Sequence, residues 1–170
     1  LAIAIEPLGR QHDRAGFCCG QPDLDDWFRL RASQDEKRNI SRVFVAVDDA
    51  VGIVGFYSLG SFKLALDDLP EAIARKLPRQ ADIPAALIGR LARNSRARGS
   101  GIGSLLLADA VRRTMSAGRS MAVFAIVVDA KNDNAAAFYQ GFGFSPFPTR
   151  PRRLFLPTSV AAQAFAEADR

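Results

Sequence analysis

The chain has 170 residues, 48% of them apolar and 24% charged, with a net charge of +5. That balance excludes a disordered chain and favours a single globular domain spanning 1–170, and no apolar run approaches the roughly 20 residues of a membrane-spanning helix. With one histidine and only the adjacent pair Cys18 and Cys19, neither a disulfide framework nor a metal site is expected.

The first residues lack a charged segment followed by a long apolar one, so no secretory leader is expected and the cytosol is the expected compartment. The two cysteines read as packing residues, and His12, on a polar stretch, as a surface residue.

In chain order, Leu1–Glu6 reads as an edge strand. Asp23–Arg38 reads as a helix, with Asp23 as its N-cap after Pro22, acids in the first turn and bases near the end. Trp27, at helical spacing with Leu24, Phe28 and Arg31, reads as a core anchor. Val43–Val47 and Val51–Leu59 alternate around Asp48-Asp49-Ala50 as a hairpin. Leu66–Leu77 predicts a short helix ended by Pro78, and Ile83–Arg93 a central strand. Ile102–Met115 is the longest periodic stretch, a helix stopped by Gly118. Met121–Val128 predicts a buried strand, and Asn134–Gln140 a helix stopped by Gly141. Phe144–Phe147 and Arg153–Leu156 are expected to pair as the last two strands, and Ser159 to cap a helix through Ala168. The order predicts an α/β fold, a mixed sheet with helices on both faces.

Between the central strand and the long helix lies Arg98-Gly99-Ser100-Gly101-Ile102-Gly103. Glycines at a loop-to-helix junction let backbone N–H groups approach a ligand, and a helix start favours an anion. With Arg93, Arg96 and Arg98 nearby, the stretch reads as a pyrophosphate cradle; the alternative is a turn that only caps the helix. The loop lacks a Gly-Lys-Ser/Thr ending, which argues against a P-loop, and it sits past the middle of the chain, which argues against a dinucleotide fingerprint.

Cations cluster. Arg75, Lys76, Arg79, Arg90, Arg93, Arg96 and Arg98 lie in one segment with the single carboxylate Asp82; Lys37, Arg38 and Arg42 form a second group, and Arg150, Arg152 and Arg153 a third. Such clusters suit a polyanionic partner; the alternative is a solvated face or contacts to a small phosphate ligand.

The glycine stretch, a helix, an apolar strand and then Asn132-x-x-Ala135-x-x-Phe138-Tyr139-x-x-x-Gly143-Phe144 resemble the GCN5-related N-acetyltransferases (GNAT). Phe17-Cys18-Cys19-Gly20, Leu24-Asp25-Asp26-Trp27-Phe28, Arg42-Val43-Phe44-Val45, Val54–Leu59, Ile88–Ala92 and Arg153–Pro157 resemble, in order, the GNAT toxins of toxin–antitoxin modules. The resemblance implies a mostly antiparallel sheet that splays at a bulge around Leu91 and Val127, with acetyl-CoA as co-substrate. It implies that Leu91, Ala92 and Arg93 meet the pantetheine, that Arg98, Gly99, Ser100, Gly101, Ile102, Gly103 and Ser104 hold the pyrophosphate, and that Asn132, Ala136 and Phe138 complete the cofactor site. Tyr139 would be the acid that protonates the departing thiolate.

Lys37, Arg38, Arg75, Lys76, Arg79, Arg90 and Arg150 would contact RNA. The implied partners are aminoacyl-tRNA, a second copy of the chain and a ribbon-helix-helix antitoxin, with operator DNA reached only through the antitoxin and no membrane.

The chemistry is consistent with such a substrate. A tyrosine, with a reference pKa of about 10, can protonate a thiolate whose acid has one of about 8.5. The strand Leu87–Ala92 carries no Glu, Asp or His to deprotonate a lysine. An α-amine, near 7.7–8.0, is partly neutral already, which favours the α-amine of an aminoacyl ester. A small-molecule amine or a protein N-terminus is the alternative acceptor, and a non-catalytic binding module the alternative of another class.

Overall fold

The computed structural model describes residues 2–79 and 82–168. Seven strands hydrogen-bond in the order β1-β2-β3-β4-β5-β7-β6, with six α-helices between and after them. This is the expected mixed α/β architecture. The chain divides into two compact units, Leu1–Gly60 with Ile88–Ala110, and Ser61–Leu87 with Val111–Arg170.

In the first unit, β1 (Ile3–Pro7) pairs antiparallel with β2 (Arg42–Asp48), from Ile3 opposite Asp48 to Pro7 opposite Phe44. It forms the expected edge; Leu1 lies outside the described residues. β2 pairs antiparallel with β3 (Gly52–Leu64), with a register shift at Ala46–Val47. Asp48 closes the hairpin by accepting the amides of Ala50 and Val51 at 2.7 and 3.2 Å.

The helix expected over Asp23–Arg38 is two helices, α1 (Pro22–Leu30) and α2 (Ala32–Lys37), broken at Arg31 with φ −122° and ψ −21°. The cap position falls to Gln21, because Pro22 already occupies the first turn, where its missing N–H costs nothing; Asp23 lies inside the helix. Trp27 and Phe28, on α1, share one core with Phe17 and Phe56. Phe28 stacks on Phe56 at 4.1 Å between centroids, and Phe17 meets both edge-on at 5.0 and 5.4 Å.

His12 is not a surface residue. Its side chain is 4% exposed, Nδ1 accepts the Gly9 amide at 2.9 Å, and Nε2 therefore holds the proton and donates it to Glu6 at 2.6 Å. The turn after β1 brings these polar partners together, which the polar run did not foretell. Of the cysteines, Cys18 is exposed and Cys19 half-buried.

In the second unit, β5 (Ala125–Asp129) pairs antiparallel with β7 (Arg150–Pro157), and β7 with β6 (Ser145–Phe147). Leu64, Leu69, Ile83, Val127, Phe147 and Phe155 fill its core. The helix expected over Leu66–Leu77 is a 3-10 turn, Leu66–Asp68, and a single turn α3 (Glu71–Ala74). Pro70 separates them: it drives Leu69 into extended backbone at ψ 153° and cannot continue the hydrogen-bond ladder.

Other boundaries also differ from expectation, β3 running on to Leu64 and β7 starting at Arg150 among them. β5 starts at Ala125, four residues after Met121. α5 (Asp133–Phe142) stops at Gly143, φ +114°, rather than at Gly141; the amides of Gly143 and Phe144 return to Gln140 and Tyr139 at 3.0 and 3.1 Å. α6 (Thr158–Ala168) opens at Thr158, whose hydroxyl is within hydrogen-bond reach of the carbonyls of Val123 and Phe124, at 2.7 and 3.0 Å, so Ser159 lies inside the helix.

Candidate active site

The residues from β4 (Ile83–Arg93) to α4 (Ile102–Ala117) build a rigid approach to an open loop. Asn94 donates its amide to Val54 at 2.7 Å and caps the 3-10 turn Ser95–Ala97 by accepting the Arg96 amide at 3.1 Å. Ser95 donates both its amide and its hydroxyl to the Cys18 carbonyl, at 2.8 and 3.0 Å. Beneath the turn, a Cβ on Gly55 would come within 3.0 Å of the Ala92 carbonyl and of Ile102, and 2.8 Å from Leu106. Gly55 thus lets β3 lie directly against Ala92 and the first turns of α4.

Above this base, Arg98, Gly99, Ser100 and Gly101 are all exposed. Gly99 and Gly101 each adopt φ +77°, and a Cβ on either would meet nothing within 4 Å. Glycine is needed there for the left-handed backbone and not for lack of room. Ser100 folds back on the Ala97 carbonyl through both its amide and its hydroxyl. The Leu105 amide returns to Gly101 at 3.1 Å, which leaves the amides of Ile102, Gly103 and Ser104 at the open start of α4. Ile102 is buried and fixes the helix, while Ser104 is exposed. An open, glycine-shaped loop, three helix-start amides and the exposed cations Arg93, Arg96 and Arg98 fit a pyrophosphate. Leu91 and Ala92 lead into it as the last turns of strand, half-buried and buried respectively.

In the second unit, Tyr139 lies on α5. Asn132 caps that helix by accepting the Ala135 amide at 2.8 Å, so its side-chain oxygen is already engaged. Ala136 and Phe138 are half-buried on the same helix. The Tyr139 ring is 6% exposed and sits 5.3 and 5.8 Å from the rings of Phe138 and Phe144. Ser41 Oγ is the one fully buried side-chain polar atom without a partner among the described residues, so the Tyr139 hydroxyl, which also has none, keeps a small accessible surface on a side chain that is otherwise buried. Burial first, and the charge of Asp129 second, push its pKa up to about 12. The phenol is therefore neutral and carries its proton throughout the physiological range.

Asp129 is held by Arg153, Nε and Nη2 donating to its two oxygens at 2.8 and 2.9 Å. The Arg153 guanidinium lies 5.1 Å from the Phe62 ring centroid. Asp129, Ala130 and Arg150–Arg153 line an open depression of about 380 Å³. Neither Asp129 nor Arg153 was singled out as a site residue from sequence; the strand-end position of Asp129 was the available signal.

The cations expected to meet RNA fall into two kinds. Lys37 and Arg38 at the end of α2, Arg75, Lys76 and Arg79 after α3, and Arg150 at the start of β7 are exposed, with no ion pair among the described residues. Arg90 is different. It is half-buried, its guanidinium 3.9 Å from the centroid of the Trp27 ring, and burial lowers its pKa, with Asp35 opposing and Arg31 reinforcing that shift.

Among the described residues no cluster of His, Cys, Asp and Glu is suited to a metal, and no helix is long and apolar enough to cross a membrane.

Residues 10–144 match the acetyltransferase (GNAT) family. The chain belongs to the GNAT family. Two curated relatives are similar over most of their length. A probable toxin TacT of Sinorhizobium fredii is 36% identical, with 92% of this chain and 91% of the relative covered. A tRNA-acetylating toxin of Mycobacterium tuberculosis is 40% identical, with 85% of each covered. Among solved structures, AtaT complexed with acetyl-methionyl-tRNAfMet superimposes with a TM-score of 0.88 at 26% identity, covering 96% of this GNAT chain and 99% of AtaT.

Proposed function

We propose that this chain is a toxin that uses acetyl-CoA to acetylate the α-amine of aminoacyl-tRNA, which blocks its use in translation. The observation that carries the reading is Tyr139: a neutral phenol on the Phe-Tyr helix, its ring buried and its hydroxyl without a hydrogen-bond partner among the described residues. The acceptor class rests on the relatives named for tRNA acetylation and on the unpaired cations.

Acetyl-CoA supplies the acetyl group as a thioester. Arg98 and the Gly99–Gly101 turn, with the amides of Ile102, Gly103 and Ser104, bind its pyrophosphate, and the backbone of Leu91, Ala92 and Arg93 orients the pantetheine and polarises the carbonyl. Ala136 and Phe138 add apolar contact, while Asn132 serves them by fixing the start of α5. As the amine nitrogen bonds to the carbonyl carbon and the C–S bond breaks, Tyr139, protonated at neutral pH with its pKa of about 12, gives its proton to the departing sulfur; the surplus proton of the nitrogen passes to water, and water restores the phenol. The α-amine of an aminoacyl ester needs no dedicated base on Leu87–Ala92 to be partly neutral.

Both units serve one acetyltransferase domain in this reading, since the family match runs through segments of each. The exposed cations Lys37, Arg38, Arg75, Lys76, Arg79 and Arg150 track the RNA backbone. A cytoplasmic homodimer neutralised by a ribbon-helix-helix antitoxin, which carries the operator DNA contacts, completes the proposal.

The test is incubation with radiolabelled acetyl-CoA and total charged tRNA, beside deacylated tRNA and a lysine-rich peptide. Label confined to charged tRNA is the expected result. Label in the peptide, or in a small amine, without label in tRNA overturns the toxin reading and leaves an acetyltransferase of another substrate.

A further inference from the structure

Strand alternation places Arg90 on the same face of β4 as Ala92, and Ala92 packs in the core that contains Trp27. Trp27 cannot drift there: its ring stacks on Phe56 at 5.9 Å between centroids, and its Nε1–H donates to Asp35 at 2.9 Å. Arg90 rests on this fixed indole with its guanidinium 3.9 Å from the ring centroid. Stacking of that kind uses the face of the guanidinium and leaves its N–H donors, which lie in the plane, available.

Those donors have no acceptor. Among the described residues the Arg90 side chain makes neither a hydrogen bond nor an ion pair, and the same is true of the Arg31 side chain at the break between α1 and α2. Nearby arginines are satisfied. Arg29 donates to the Phe17 carbonyl and pairs with Asp25, and Arg14 donates to the Phe28 carbonyl at 2.7 Å. Asp35, the carboxylate whose field reaches Arg90, spends one oxygen on Trp27 and forms no ion pair with either cation. Arg31 follows Trp27 by one helical turn, its amide on the Trp27 carbonyl at 2.8 Å and its own carbonyl accepting the Asp35 amide at 3.0 Å, so two guanidinium side chains, one of them half-buried on the indole, flank Trp27 without a direct ion pair among the described residues. A planar fork with free edges matches the paired oxygens of a phosphodiester.

We infer that Arg90, held over Trp27, and Arg31 beside it form a preorganised fork for a phosphodiester in the unpaired acceptor end of aminoacyl-tRNA. The inference rests on the tRNA reading above and adds to it a specific contact made from the strand that also carries Leu91 and Ala92. It separates Arg90 from the exposed cations, which attract RNA without fixing its register.

The test compares Arg90→Lys and Arg31→Gln with the unaltered chain on two acceptors over a range of salt concentrations. One is total charged tRNA; the other is aminoacyl-adenosine, which keeps the ester and the amine and has no phosphodiester. Each variant is expected to lose about tenfold more kcat/KM on charged tRNA than on aminoacyl-adenosine, as fits one charge-assisted contact. For Arg31→Gln the slope of log kcat/KM against log salt should flatten by about 0.7, one single-stranded phosphate contact. Equal losses on the two acceptors, or an unchanged slope, overturn the fork while leaving tRNA as substrate. Failure of the unaltered chain to label charged tRNA overturns the tRNA reading and the fork together. Arg31 is exposed and outside both helices, so its variant keeps the test decisive should Arg90→Lys unfold.

Discussion

Arg153 grips Asp129 with two parallel hydrogen bonds, and the charge of Asp129 in turn helps hold the proton on Tyr139. The arginine is half-buried against Phe62, so the pair is fixed at the end of β5 and β7, directly opposite each other in register.

The first prediction concerns pH. With a pKa pushed up to about 12, the Tyr139 hydroxyl stays protonated as pH rises past the ordinary tyrosine value of about 10. The kcat profile should therefore show no descending limb between pH 8 and about 10.5 from loss of this acid. Asp129→Asn removes a charge that opposes phenolate, so the Tyr139 pKa falls and a descending limb moves to lower pH. A profile of kcat for both proteins, with ultraviolet titration of the phenol, checks the sign.

Tyr139→Phe removes the proton donor while keeping a ring between Phe138 and Phe144. A positioned general acid contributes about 10²–10⁴ in rate, so kcat should fall by at least about a hundredfold. Affinity for acetyl-CoA, measured by calorimetry, should change less than about twofold, since the cradle does not use this hydroxyl.

The cradle glycines and Gly55 should fail in different ways. At Gly99 or Gly101 an alanine finds open space but a left-handed backbone, a penalty of about 1–2 kcal/mol. The loop escapes that penalty by leaving the cradle conformation, so acetyl-CoA should bind about five- to thirtyfold more weakly with little change in Tm. At Gly55 an alanine drives into the Ala92 carbonyl, Ile102 and Leu106, which should destabilise the fold by about 1–3 kcal/mol and lower Tm. Titration calorimetry and thermal melts on the three variants separate the two outcomes.

How much of this was legible follows from which forces set each feature. The cradle stands out in sequence because local backbone chemistry, glycine spacing and a helix start, creates it, whereas Tyr139 stands out through the family resemblance of the Asn132–Phe144 motif. The split at Arg31 does not: Leu24, Trp27, Phe28 and Arg31 keep helical spacing through it, and the break is set by packing of Trp27 on Phe56 and its bond to Asp35. The apolar period from Leu66 to Leu77 predicts one helix, and Pro70 within it breaks that helix in two. Gly141 and Gly143 look alike in sequence, and only the left-handed φ of Gly143 identifies the stop. Arg90 read as one cation in a basic run; the stack on Trp27, distant in sequence, is what sets it apart.

The exposed run Arg75, Lys76 and Arg79 tests the non-specific side of RNA attraction. These side chains have no ion pair among the described residues and lie next to the single turn of α3, with no packing role to lose. Replacing all three with alanine should leave stability within about 0.5 kcal/mol. If they contact phosphates, KM for charged tRNA should rise for every tRNA species alike, because such contacts carry no sequence information. The salt slope should also flatten by about 0.7–0.9 for each contact removed. Kinetics on separate tRNA pools at several salt concentrations read both effects. A loss confined to one tRNA species would instead assign these residues to selection of the substrate, and an unchanged slope would remove them from the RNA surface.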